Sequence, residues 1–428
     1  MPDPGSAPQR GTLAAPLHPL LLLLLLAVLF AIYWSTSFLL AANQATTRFG
    51  ADTWFYTELA DSDSLQRLYE NELIGRVFRF HPVTVLLAAA WMNALDWLEA
   101  WLTQEQILRA MFALVGAVGG YAAMSGFAAI MLRRHVAFWG AIYGVSLGVW
   151  YFSSIEESKI VSGSLATLYI AIYLHLRERW TQRSAWLLTA VLLLACLNEI
   201  VAGFLVVIPL VDTFVRHGLD FRRMRWIFLH ALTAPFALLI LEAISRGRFD
   251  AAKEHPEGAT HFSMLFWYIV QNEYSISSIY AFALRWIFFN LAAPEQKIHF
   301  VNAAIGYGGD FDPQRLPYFL SLLSTTAAVL IIAILFAALL PRYRPAMTRN
   351  AAAIMLGLAA YILLRGTFFF LLLPQEAMLF ASSISFALLL LIALPFSASA
   401  FPRKRILLAL FATALFLANG AFMLAPQS

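Results

Sequence analysis

Long uninterrupted apolar runs separated by short polar punctuation dominate the chain. The runs fall at roughly 20–42, 107–132, 136–154, 160–176, 185–197, 198–215, 226–244, 317–340, 350–373, 377–395 and 406–424. Most match the roughly 20 apolar residues that a helix needs to cross a bilayer. None shows the strict alternation of a half-buried strand. The pattern predicts an all-α polytopic protein of about 11 transmembrane helices. Ser184 to Val215 is a single apolar run of 32 residues flanked by Arg183 and Arg216, with Asn198-Glu199 near its middle. As one helix it would be about 48 Å long, too long for a hydrocarbon core of about 30 Å. A hairpin with a polar tip is expected there. Pro82 to Leu102 is nearly long enough to span but carries Asp96 and Glu99, so it reads as a helix lying in the outer interface.

Composition agrees. Of 428 residues, 61% are hydrophobic and 13% charged, about half the charged fraction of a soluble domain. The first run is longer than the apolar region of a signal peptide and reads as a retained span. Cys196 is the single cysteine, which argues against disulfides and thiolate metal sites.

Charge distribution sets the expected orientation. With the N-terminus in the cytoplasm, the inner pieces hold 16 of the 29 Lys and Arg residues and only four acids, Asp3, Glu178, Asp212 and Asp220. Short basic inner loops and longer acidic outer ones follow the positive-inside rule. The chain then reads as one membrane unit. A seven-span part covers 20–245 and includes an outer loop over 43–106, a second outer loop covers 245–315, and a four-span part covers 316–428. Aromatic stretches at 262–270 and 276–290 lie in the second loop. The expected location is a bacterial inner membrane.

Candidate chemistry concentrates on the outer side. The first loop holds Asp52, Glu58, Asp61, Asp63, Glu70 and Glu72. A carboxylate at Asp52, just past the first span, is placed to deprotonate an acceptor hydroxyl; the more common role for an aspartate at such a position is to cap a juxtamembrane helix. Arg76, Arg79 and His81 precede Pro82, a residue that fits the first turn of a helix, and offer cations near backbone amides for a phosphate. They are equally suited to anchoring on anionic lipid. Glu156, Glu157 and Lys159 occupy a tight outer turn and are either substrate contacts or a solvated turn. Arg365 lies inside an apolar run, about 12 Å of helix from its outer end. A cation there is costly and marks function; a phosphate is its natural partner, with Gln375 and Glu376 in the following turn. No nucleotide-binding loop, zinc helix or serine elbow occurs.

Taken together, Asp52 after the first span and His81-Pro82 at an interfacial helix resemble the GT-C integral-membrane glycosyltransferases, in particular the polyprenyl-phosphate-sugar-dependent mannosyl- and aminoarabinosyl-transferases. The resemblance covers roughly 20–245. Here Asp52 is followed by Thr53 where the family often has paired acids, and Val83 stands where a second proline is typical. The resemblance implies a polyprenyl-phosphate-linked sugar donor, a lipid, glycan or protein acceptor, and transfer at the outer face. Asp52 would act as base, with Glu58, Glu156, Glu157 and Glu376 as secondary acids. Arg365, with His81 or Lys159, and Arg76 and Arg79 nearby, would hold the lipid phosphate. No cofactor, resident metal or nucleic acid is expected, although a divalent metal is compatible with the chemistry. The rival expectation is a multi-pass transporter or lipid flippase, whose mark would be paired broken helices near mid-membrane.

Overall fold

The computed structural model describes residues 19–43, 53, 81–131, 135–178, 181–245, 269–270, 274–293, 322–340 and 348–425. Asp52, Glu58, Arg76 and Arg79, together with the aromatic stretch 262–268 and Asp61, Asp63, Glu70 and Glu72, lie outside these residues. Every regular element among the described residues is helical. Among the described residues, nine helices are long and apolar enough to cross a membrane: Leu20–Ala42, Gln104–Ile130, Ser158–Leu176, Ile200–His217, Met224–Ala243, Leu322–Leu339, Arg349–Leu372, Ala377–Ala398 and Lys404–Leu424. The protein is therefore an integral membrane protein with several spans. Val136–Val145 and Leu147–Ser153 make a tenth crossing if counted as one span bent by 58°. The run expected at 185–197 is a shorter helix, Gln182–Asn198.

Local sequence explains where these helices start and stop. α1 (Pro19–Ala42) is followed, beyond the first loop, by α2 (Pro82–Leu95), which has proline in its first turn and ends in a 3₁₀ turn at Asp96–Ala100. Trp97 and Trp101 on that turn are exposed, as suits aromatic rings at a membrane interface. In α3 (Gln104–Ile130), Thr103 and Gln106 form a reciprocal capping box that satisfies the first free amides. α4 (Val136–Val145) breaks at Ser146 and continues as α5 (Leu147–Ser153). α6 (Ser158–Leu176) begins after extended Glu157.

The expected hairpin between Arg183 and Arg216 has a definite form. α7 (Gln182–Asn198) ends where Glu199 becomes extended (φ −157, ψ 107), and the chain returns through a 3₁₀ segment, Ile200–Val206, into α8 (Val207–His217). Its polar tip is buried, with Asn198 at 0% exposure and Glu199 at 6%. α9 (Phe221–Ala231), α10 (Thr233–Ser245) and α11 (Ile276–Ala283) follow, then a π turn over Leu284–Phe288, α12 (Leu322–Leu339), α13 (Arg349–Leu372), α14 (Ala377–Ala381), α15 (Ser385–Ala398) and α16 (Lys404–Leu424).

α3 is the central packing element, lying against α1 and α6. The approach is close because α3 presents small residues: a Cβ at Gly116 would collide with Ser153, and one at Gly120 with Leu29. α13 packs tightly on α8 for the same reason, since a Cβ at Gly357 would stand 2.8 Å from the Ile208 carbonyl oxygen. Between apolar helices in lipid, such close contact replaces the hydrophobic drive that water would supply.

Two buried polar networks fix the helix ends. At one, Asp212 (0% exposed) accepts from Arg177 Nη2 at 2.7 Å and from Tyr173 Oη at 2.5 Å, and lies 3.4 Å from Arg216 Nε. Arg177 also donates to the Asn350 carbonyl, which ties α6 and α8 to the start of α13. At the other, the bend between α4 and α5 is filled by protein. Leu147 and Gly148 amides donate to the carbonyls of Leu291 and Asn290, and Asn419 bonds the Val145 and Leu291 carbonyls. Asn290 in turn donates to the Ala381 carbonyl. Every break in a helix frees backbone groups that must be met inside the protein, and asparagines meet them here.

Candidate functional site

The start of α6, the break at Glu199, the middle of α13 and the entrance of α2 converge on one group of ionisable side chains. Glu199 is buried because the hairpin tip folds inward, and its Oε1 accepts from Arg365 Nη2 at 2.5 Å. Arg365 is 1% exposed. Lys159, 6% exposed, comes from the first turn of α6, and its Nζ stands 4.3 Å from the centre of the Phe380 ring. That ring stacks on Phe369 at 4.0 Å, and Arg365 sits 5.0 Å over the other member of the stack, Phe369. The two cations thus flank an aromatic pair. Cations over ring faces gain from the quadrupole most when desolvated.

Donors outnumber acceptors. Among the described residues, no hydrogen bond reaches Lys159 Nζ, and Arg365 Nε and Trp286 Nε1 are buried with no partner. Trp286 belongs to the same packing, its ring 5.9 Å from Phe369 and its Nε1 beside Gly366. A single carboxylate cannot serve this many N–H groups, and buried unpaired donors are expensive. Burial raises the proton affinity of Glu199, but Arg365 and Lys159 beside it outweigh that and hold it below the usual carboxylate range. It is therefore an anion at neutral pH.

His81 enters from the other side. Its Nδ1 lies 2.6 Å from the Asn198 carbonyl oxygen. The Asn198 side chain accepts from the amide and hydroxyl of Thr84, at 3.0 and 2.6 Å, and donates to Ser162 at 2.9 Å. This small network locks α2 onto the ends of α7 and α6. Burial and Lys159 lower the pKa of His81 to about 3, so the ring is neutral at pH 7. The sequence suggested a cationic phosphate ligand at this position; the environment makes it a neutral imidazole.

The other candidates divide. Glu156 is paired with Arg109 at 2.5 Å, which Glu105 also contacts. Burial pushes Glu156 up despite that partner. This triad braces the turn that leads to Lys159. Glu157 accepts from Ser158 at 2.9 Å and is 4% exposed; the turn is thus buried, not solvated. Glu376 is in the 3₁₀ turn after α13, and the acid that meets Arg365 is Glu199 instead. Sequence reasoning used Glu199 only as a mark of the hairpin; a lone acid interrupting an apolar run is itself the signal that it has a buried cation as partner. Among the described residues no three His, Cys, Asp or Glu side chains converge as a metal site. Comparison of the chain with protein-family models, with curated proteins and with solved structures gave no match.

Proposed function

We propose that the protein is a glycosyltransferase of the GT-C kind, moving a sugar from a polyprenyl-phosphate carrier to a lipid, glycan or protein acceptor at the outer face of a bacterial inner membrane. The observation that carries this reading is the surplus of N–H donors at Lys159 and Arg365, which among the described residues face the one carboxylate of Glu199 between apolar helices. A phosphate on a lipid tail is the anion that can reach such a place without leaving the bilayer. In the proposed step, an acceptor hydroxyl gives its proton to Asp52 and its oxygen attacks the anomeric carbon. The carbon–oxygen bond to the phosphate breaks, and the electron pair leaves on the phosphate. Lys159 and Arg365 stabilise that charge as it develops, with Arg76 and Arg79 in the first loop as further cations. Asp52 enters from its position after the first span. A divalent metal is not required by this scheme.

The second reading, a transporter or lipid flippase, draws on the bend between α4 and α5 and the break at Glu199, since broken helices mark transport sites. It is the weaker one, because the first break is filled by Asn290 and Asn419. Purified protein incubated with a radiolabelled polyprenyl-phosphate sugar and crude acceptor lipid tests the choice. Label transfer that Asp52→Asn abolishes, with expression unchanged, is the expected result. Carrier movement that depends on an ion gradient, with no transfer, would replace the first reading by the second.

A further inference from the structure

The His81 ring has two nitrogens, and the structure determines what each can do. Nδ1 is 2.6 Å from the carbonyl oxygen of Asn198. A carbonyl only accepts, so Nδ1 must carry the proton. The acceptor is one of the orphan carbonyls that end every helix, here at the C-terminus of α7, and it has no helical partner to compete. Asn198 is held in turn by Thr84 and Ser162, so the ring has little freedom to turn over. In the neutral ring Nε2 is then a bare lone pair. Among the described residues nothing hydrogen-bonds to it, and His81 is half-buried, not sealed. The charged groups that bear on the ring are Lys159 at the start of α6 and Glu199 at the end of α7. Lys159 and the desolvation both oppose a second proton. The site thus holds surplus donors on the Lys159 and Arg365 side and one unused acceptor on the His81 side.

We propose that His81 Nε2 accepts a hydrogen bond from a hydroxyl of the sugar that the lipid phosphate carries. The inference rests on the phosphate reading of Lys159 and Arg365 and deepens it, since it assigns the two halves of a phospho-sugar to two chemically opposite walls. The cations take the anionic half. The neutral imidazole takes a hydroxyl, which an ionised phosphate diester cannot offer. A site built to bond a hydroxyl discriminates against a ligand lacking it, because the buried acceptor is otherwise left unmet.

The test is equilibrium binding of polyprenyl-phosphate-mannose and of polyprenyl methyl phosphate, a bare carrier with the same single negative charge, to the full chain in lipid nanodiscs. Wild type is expected to bind the mannosylated carrier more tightly. His81→Asn keeps an N–H close to the Nδ1 position and so can still serve the Asn198 carbonyl, but has no atom at Nε2. It should lose the preference by roughly three- to tenfold, the worth of one neutral hydrogen bond, with affinity for the bare carrier unchanged. His81→Gln, whose carbonyl reaches the Nε2 position, should recover part of it. His81→Lys, a donor only, should not. Selectively ¹⁵N-histidine-labelled protein should show a pyridine-type Nε2 resonance that His81→Asn removes. The proposal is overturned if His81→Asn retains the full preference, if it weakens both carriers equally, or if His81→Lys matches wild type. It also fails if wild type binds the two carriers equally. Failure of wild type to bind either carrier would instead remove the phosphate reading beneath it.

Discussion

Arg365 and Glu199 are 166 residues apart in sequence and meet at 2.5 Å inside the protein. Neither is exposed enough for water to compensate it, at 1% and 6%. Each meets the other's charge where water cannot, and together they hold α13 against the break after α7.

That pairing predicts an asymmetry between single and double substitutions. Arg365→Leu leaves Glu199 as a buried anion with Lys159 alone beside it. Removing one partner of a buried pair costs about 3–5 kcal/mol, whereas replacing both with apolar residues is often neutral. Thermal unfolding in detergent should therefore show a large drop in Tm for Arg365→Leu and for Glu199→Leu, and recovery in the double variant. The two single losses adding up in the double variant would mean that the residues do not act as a pair. If Arg365 were instead an uncompensated charge, its replacement by leucine would leave the protein as stable or more so.

The His81 environment sets a pH dependence. The ordinary histidine value is 6.5, and burial with Lys159 lowers it to about 3 in the folded protein. The unfolded chain thus takes up a proton that the folded protein refuses. This contribution is fully present above pH 6.5 and is lost as pH falls towards 3. Wild-type Tm should decline between pH 7 and pH 4 by more than that of His81→Asn. Parallel curves would show that His81 is not held neutral by the fold.

Orientation is testable without any substrate. In a Cys196→Ser background, a cysteine at Ser64 lies in the expected outer loop and one at Gln182 in an expected inner one. An impermeant thiol reagent applied to intact cells should label the first and spare the second. Labelling of Gln182→Cys with Ser64→Cys protected would invert the topology and remove the outer-face mechanism.

Much of the architecture was legible in the run lengths. The nine long apolar helices among the described residues coincide with expected runs, and the bent α4–α5 pair occupies the run at 136–154. The hairpin followed from one length against one membrane thickness, and Asn198-Glu199 marked its tip. Arg365 stood out for its cost alone. What the sequence could not supply was its partner. Glu376, eleven positions along, was the nearer candidate, and the preference for Glu199 depends on how a hairpin tip folds under another helix. Hydropathy is a property of each segment alone, so it determines which segments enter the membrane. It carries no information on which faces meet. The small residues Gly116, Gly120 and Gly357 set those approaches, and the approaches decide which buried charges find one another. The same holds for His81: beside two arginines in sequence it reads as a third cation, and only burial and the nearby ammonium of Lys159 make it neutral, while the Asn198 carbonyl fixes its proton on Nδ1. Ionisation is decided by three-dimensional neighbours and by exclusion of water, and both exist only once the helices have packed.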